Sequence, residues 1–362
     1  MGDGDREAVE GALPLRRRSG IGPLSPFGAA PPTGEQLGQA FSHHGGQLLA
    51  AMRAWPQAPT PWIDLSTGIN PHPYPAPRAR AGARGRLPFP EETASLEALA
   101  GMAFGLSDSE RVLATPGAEA GLRLLPQVLG AETVLIAGPT YASHADAWLG
   151  AGARPVDREE QARVVVLVNP NNPDGRLHIQ GDLLAMADRL AARDGWLIVD
   201  ESFADVSAEP SLAAQIHPRI VVLRSFGKFF GLAGLRLGFV LGPPAVIHHL
   251  RHRQGDWPVS ADALAAGLAA YGDADWARRT RARLVRDAAW MDSRLEGAGF
   301  EIIGGTSLFR LARAADASDR FATLCAAGIL TRPFAEQPTW LRFGLPQPWA
   351  RRRLEAALGV AS

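Results

Sequence analysis

Arg163-Val-Val-Val-Leu-Val-Asn-Pro-Asn-Asn-Pro-Asp-Gly175 joins the two patterns that decide the fold. Its first six residues carry an unbroken apolar run, β-branched at all but one apolar position, of the kind buried on both faces of a parallel sheet. The Asn-Pro sequence that follows stops the strand in a rigid turn. Moving outward, Trp196–Asp200 (WLIVD), Ile220–Arg224 (IVVLR) and Leu237–Leu241 (LGFVL) repeat the strand pattern, and Thr133–Ala137 is a shorter apolar run. Helical patterns over Ser95–Phe104, Ala118–Leu129, Tyr141–Gly150 and Gly181–Arg193 alternate with them. Strands alternating with helices predict an α/β fold, its sheet covered on both faces. Functional residues are then expected just past the carboxyl ends of the strands.

From about residue 245 the chain turns helix-rich and Arg-rich. It ends in short strands (Ser307–Leu311, Thr339–Phe343) and a last helix (Trp349–Leu358), which predicts a smaller α+β C-terminal domain. Residues 1–40 hold 8 Gly, 5 Pro and the Arg16-Arg17-Arg18 run. That composition buries too little apolar area to offset ordering entropy, so a flexible N-terminal extension is expected there. The expected division is 1–40, an N-terminal substrate-site segment 41–75, a large domain 76–244 and a small domain 245–362.

Composition narrows the function. The 362 residues carry 37 basic and 37 acidic side chains, and this balance argues against nucleic acid or an acidic membrane surface as partner. One cysteine, Cys325, excludes an internal disulfide and a multi-Cys zinc site, and no metal is expected. No run approaches a membrane span, and the first twenty residues lack an apolar signal segment, so a cytoplasmic protein is expected. All the basic residues but one are arginine; the exception is Lys228. Lysine can be tuned into a carbonyl nucleophile and arginine cannot, so amine chemistry here has one candidate side chain.

Lys228 lies in Ser225-Phe-Gly-Lys-Phe-Phe-Gly-Leu-Ala-Gly-Leu-Arg236, directly after a predicted strand. Ser225 and Arg236 suit an anion held beside that amine. Asp200 closes WLIVD and offers a carboxylate at a strand end, or an ordinary helix cap. Asn172 lies in the Asn-Pro turn, which needs no ligand to form but can aim a donor. Thr115-Pro-Gly-Ala-Glu119 opens a helix whose first N–H groups are suited to phosphate. Tyr141 offers a flat ring, for stacking or for the core.

Taken together and in this order, these motifs resemble the fold type I pyridoxal-phosphate enzymes, in the class I/II aminotransferase superfamily and its histidinol-phosphate aminotransferase branch. The resemblance spans roughly residues 41–362. It implies a large domain with a mostly parallel seven-stranded sheet, a small C-terminal domain, pyridoxal 5′-phosphate as cofactor and a homodimer. It implies that Lys228 carries the cofactor, Asp200 partners the pyridine nitrogen, Asn172 donates to the ring oxygen and Tyr141 stacks on the ring. Gly117, Ala118, Glu119, Ser225 and Arg236 match the phosphate cup. Arg342, in Trp340-Leu-Arg-Phe-Gly, matches the arginine that binds a substrate carboxylate.

Two N-terminal motifs narrow the branch. His44-Gly-Gly and Trp62-Ile-Asp-Leu-Ser-Thr-Gly-Ile-Asn-Pro71 resemble the threonine-phosphate decarboxylases of cobalamin biosynthesis. That implies a phosphorylated amino acid as the small-molecule substrate, decarboxylated rather than transaminated, with His44, Asn70 and Arg332 as candidates for its phosphate. Transamination of histidinol phosphate or a related phosphorylated amine is the alternative. Three departures from the wider family stand out. Phe203 replaces a tyrosine that donates to the ring oxygen. Phe89 replaces a tyrosine that reaches a neighbouring subunit's phosphate. Gly227 replaces a hydroxyl residue before the lysine.

Overall fold

The computed structural model describes residues 41–42, 45–207 and 211–360, and the expected N-terminal extension and His44 lie outside them. A two-residue strand, β1 (Ile63–Asp64), is followed by β2 (Val112–Thr115), β3 (Thr133–Ile136), β4 (Arg154–Pro155), β5 (Val164–Val168), β6 (Trp196–Asp200), β7 (Ile220–Ser225) and β8 (Gly238–Leu241). All but β1 form one seven-stranded sheet in the order β2-β8-β7-β6-β5-β3-β4. Neighbours from β7 to β4 are parallel, and β8 runs antiparallel to both β2 and β7. The sheet is therefore mixed and mostly parallel, as the sequence implies.

The unbroken apolar runs are explained by cover on both faces. Val165, Leu167, Leu197, Val199 and Val222 pack into one core cluster, while Val164, Val166, Ile198, Val221 and Leu223 pack into another on the opposite face. The helices that follow residue 244, Pro244–Gln254 and Ala261–Tyr271, still pack on this part of the molecule, against the helices Ala118–Leu129 and Pro90–Ala103 respectively.

A second sheet comes from β9 (Glu301–Thr306), β10 (Phe309–Arg313), β12 (Arg332–Pro333) and β13 (Trp340–Gly344), in the antiparallel order β12-β13-β10-β9. The short β11 (Ile329–Leu330) pairs in parallel with β1, tying the N-terminal segment to this lobe. Among the described residues no helix is long and apolar enough to cross a membrane.

Several boundaries differ from the sequence expectation for local reasons. The helix expected from Ser95 begins at Pro90, because proline suits the first turn and the Glu92 carboxylate accepts from the Phe89 N–H at 2.8 Å. The helix expected from Tyr141 begins at Ser143. The strand expected over Ser307–Leu311 is shifted to Phe309–Arg313, since residues 307–308 form the turn from β9. β9 was not among the expected strands, and its Gly304 and Gly305 weaken a strand pattern. The last helix starts as a 3₁₀ turn, Pro348–Ala350, before Arg351–Leu358.

Helix Ala118–Leu129 is pressed onto the sheet at Gly121, where a Cβ would stand 2.4 Å from Val240 Cγ2. Gly121→Ala should therefore cost about 1–2 kcal/mol net, overpacking outweighing the roughly 1 kcal/mol alanine gains in a helix. A lower urea midpoint at unchanged slope is expected; an unchanged or raised midpoint contradicts this packing.

Candidate active site

The carboxyl ends of β5, β6 and β7 lie side by side, with Val168 paired to Asp200 and Asp200 to Leu223. The three chains leaving them carry Asn172, Asp200 and Lys228, which line one cleft. After β5 the Asn residues divide the work. Asn169 accepts from His178 N (2.9 Å), and Asn171 donates to Pro139 O (3.0 Å) and Asp174 Oδ1 (2.7 Å), which fixes the turn. Asn172 is left facing the cleft.

Asp200 is buried and receives hydrogen bonds from His144 Nε2 (3.0 Å) and Ser202 N (2.9 Å). Burial pushes its pKa up, but the His144 and Ser202 bonds outweigh it and hold the carboxyl below its ordinary value. His144 was missed from the sequence. It sits on helix Ser143–Gly150, and only the packing of that helix over the end of β6 brings it to Asp200. Glu201 turns to the other side and pairs with buried Arg224 at 2.9 Å.

Lys228 sits in a four-residue helix, Phe226–Phe229, that follows β7 without a break. Burial pulls its pKa down to about 8, helped by the guanidiniums of Arg342, Arg332 and Arg236 and opposed by Asp200. Its Nζ lies 5.5 Å from the centroid of the Phe203 ring. Phe203 is buried edge-to-face on Phe309, so this position is apolar packing. Gly227 has a steric reason: a Cβ there would meet Ala233 Cα at 2.6 Å. A side chain at position 227 has no room in this turn.

An anion cradle closes one end of the cleft. Helix Ala118–Leu129 starts at Gly117 (φ +85°) with no side-chain cap, which leaves its first N–H groups for a ligand. A Cβ at Gly117 would stand 2.5 Å from Arg236 Nη2, and one at Gly238 would stand 2.3 Å from Ala118 N. Both glycines are needed for helix start, β8 and guanidinium to meet. Ser225, Ala118, Glu119 and Arg236 line this end, and Tyr141, its hydroxyl donating to Glu119 at 3.2 Å, lines the wall. A desolvated amine, a braced buried carboxylate, a flat ring and an uncapped helix start beside an arginine fit pyridoxal 5′-phosphate. Among the described residues no cluster of His, Cys, Asp or Glu suits a metal.

The substrate candidates fare differently. Arg342 is buried and donates to Asn172 Oδ1 (2.5 Å) and Ser66 O (2.7 Å), both neutral, while its Nε has no partner. Burial and neighbouring Arg332 pull it well below the usual arginine range, with Asp64 opposing. Arg332 is also buried, and in β12 it stands directly opposite Arg342 of β13, so the two side chains share one face. Asn70, expected to contact substrate phosphate, is turned elsewhere. Its Nδ2 donates to Phe229 O (2.8 Å) and its Oδ1 accepts from His72 N (2.8 Å), so its amide holds the lysine turn. Phe89 is 54 % exposed with Arg86 stacked 3.8 Å from its ring centroid.

Comparisons with known proteins agree with this fold and cofactor. Residues 61–349 match the family "Aminotransferase class I and II". The chain is 40% identical over 327 residues to a threonine-phosphate decarboxylase of Pseudomonas aeruginosa, covering 87% of this chain and 96% of that one. It is likewise 40% identical to a threonine-phosphate decarboxylase of Sinorhizobium sp, covering 87% and 97%. Among solved structures, histidinol-phosphate aminotransferase from Sinorhizobium meliloti, in complex with pyridoxal-5′-phosphate, superposes with a TM-score of 0.75 at 20% identity, covering 86% of this chain and 93% of that one.

Lys228 is the chain's one lysine, so acylation measured on the peptide that contains it, apart from the α-amino group, which titrates at about 8 in any chain, reads this site. Acylation of Lys228 in cofactor-free protein should rise with pH about a midpoint near 8, because the neutral amine reacts and the buried site favours it. A midpoint near the ordinary lysine value of about 10.4 contradicts the electrostatics described here.

Proposed function

The chain belongs to the class I and II aminotransferase family, and from that premise we propose that it decarboxylates L-threonine O-3-phosphate to (R)-1-amino-2-propanol O-2-phosphate for cobalamin biosynthesis. The observation that carries this reading is the in-register pair of buried arginines, Arg332 and Arg342. Two buried guanidiniums on one face suit a ligand with two anionic groups, and an amino acid phosphate carries a carboxylate and a phosphate around one amine. The two threonine-phosphate decarboxylases matched over nearly their whole length support the same choice.

When bound, pyridoxal 5′-phosphate supplies the electron sink for charge left on the substrate Cα as CO₂ departs. Lys228 would hold it through Nζ, and the Gly117–Glu119 backbone, Ser225 and Arg236 would hold its phosphate. Asp200, kept ionised by His144 and Ser202, would hold a proton on the pyridine nitrogen. Asn172 spends its Oδ1 on Arg342 and has Nδ2 left to donate to the ring oxygen. Arg342 orients the substrate carboxylate with a guanidinium already shared between Asn172 and Ser66. That sharing loosens its grip, which matters because a tight ion pair opposes loss of the carboxylate as neutral CO₂. Arg332 takes the substrate phosphate. Lys228, with a pKa near 8, suits return of a proton to Cα around neutral pH. The working form in this reading is a cytoplasmic homodimer.

The test is the protein loaded with pyridoxal phosphate and given L-threonine O-3-phosphate with no keto acid. Release of CO₂ matched by an amine phosphate is expected. Arg332→Gln should raise KM roughly 10–100-fold, the equivalent of about 1.5–3 kcal/mol for charge-assisted hydrogen bonds. Absence of CO₂, with turnover appearing only when 2-oxoglutarate is added, contradicts the proposal.

A further inference from the structure

Phe226, Phe229 and Phe230 anchor the turn that carries Lys228 in the core, but its own backbone hydrogen bonds are weak. A four-residue helix is too short to be stable alone, and its closing contacts are long: Phe230 N to Phe226 O and Gly231 N to Lys228 O are both 3.3 Å. The carbonyls of residues 228, 229 and 230 are instead taken by a strap from the N-terminal segment. Asn70 N donates to Lys228 O (3.0 Å), Asn70 Nδ2 to Phe229 O (2.8 Å) and Tyr74 N to Phe230 O (2.9 Å). Backbone also meets backbone here: a Cβ at Gly231 would stand 2.7 Å from Asn70 O and 2.8 Å from Pro73 Cα.

The strap reads Asn70-Pro-His-Pro-Tyr-Pro75. Its prolines stiffen it and lack N–H donors. His72 lies between two of them and makes two bonds that fix it. Its backbone N–H donates to Asn70 Oδ1 (2.8 Å), orienting the amide that grips the lysine turn. Its Nε2 meets Asp287 Oδ2 at 2.9 Å, on the long helix Ala274–Gly297. Asp287 in turn is held by Arg351 (2.5 Å) and faces Arg283 (3.8 Å).

We propose that His72 is a positioning residue for Lys228: by donating to Asp287 it clamps the Asn70–Tyr74 strap onto the lysine-bearing turn. The bond is that of a neutral donor. The charged groups facing the ring are Asp287 and Arg283 on the long helix and Arg351 on the last helix. Burial first, then Arg283 and Arg351, pull the imidazole below its ordinary value against the opposing pull of Asp287. At neutral pH and above it therefore gives one N–H to the carboxylate, and a neutral amide donor can replace it. This role rests on Lys228 being the reactive amine, yet it can be tested without cofactor or substrate, so its failure is separable from failure of the decarboxylase assignment.

The experiment is the pH dependence of Lys228 acylation in the cofactor-free full-length protein, for wild type, His72→Phe and His72→Gln, each with its melting temperature. His72→Phe keeps the ring volume and removes the donor. The account expects its acylation midpoint to rise by about one unit or more toward the solvated value, as the released turn exposes the amine to water. His72→Gln, which donates through Nε2, is expected to stay within a few tenths of wild type. An unmoved midpoint in His72→Phe, even with a lower melting temperature, overturns the proposal, because that is what a purely structural contact gives. A His72→Gln midpoint that moves with His72→Phe overturns it as well.

Discussion

Everything around the cleft answers to one electrostatic constraint: an amine is held out of water among three guanidiniums. Arg342, Arg332 and Arg236 all disfavour charge on Lys228, and Asp200 alone among the main contributors favours it. Arg342 and Arg332 are buried and Arg236 is exposed beside the helix start, so the cleft is electropositive and suits incoming anions. The cofactor phosphate, the substrate carboxylate and the substrate phosphate are the three anions the proposed reaction brings. The same constraint keeps the lysine neutral enough to act as a nucleophile near physiological pH.

The scaffold serves this arrangement by close approach. Gly117 and Gly238 let helix start, strand and Arg236 meet, and Gly227 lets the lysine turn lie on Ala233. The N-terminal segment joins the two halves of the site, because Ser66 O accepts from Arg342 while Asn70 and Tyr74 donate to the lysine turn. Arg342 and Asn172 meet across 170 positions of sequence, so the loop after β5 and the strand β13 are joined beside the cleft.

The parallel strands were legible because burial on both faces writes itself as unbroken β-branched runs; Trp196–Asp200 and helix Ala118–Leu129 fall where the pattern puts them. Lys228, Asp200 and Asn172 were legible because each ends or follows such a strand, and the topology makes those ends neighbours. Interactions set by packing angles were not. Nothing adjacent to His144 in sequence points to Asp200. Asn70 reads as a ligand until its amide is seen spent on the lysine turn. β9 was not expected, since glycines weaken a strand pattern, yet Gly304 and Gly305 allow direct contact with the Asp174-Gly175 backbone.

Whether the guanidiniums around Lys228 sort the anions is decided by a crystal structure with the cofactor and L-threonine O-3-phosphate bound. Cofactor phosphate is expected on Arg236, substrate carboxylate on Arg342 and substrate phosphate on Arg332. A substrate phosphate bound away from Arg332, or a carboxylate that leaves Arg342 untouched, would contradict it.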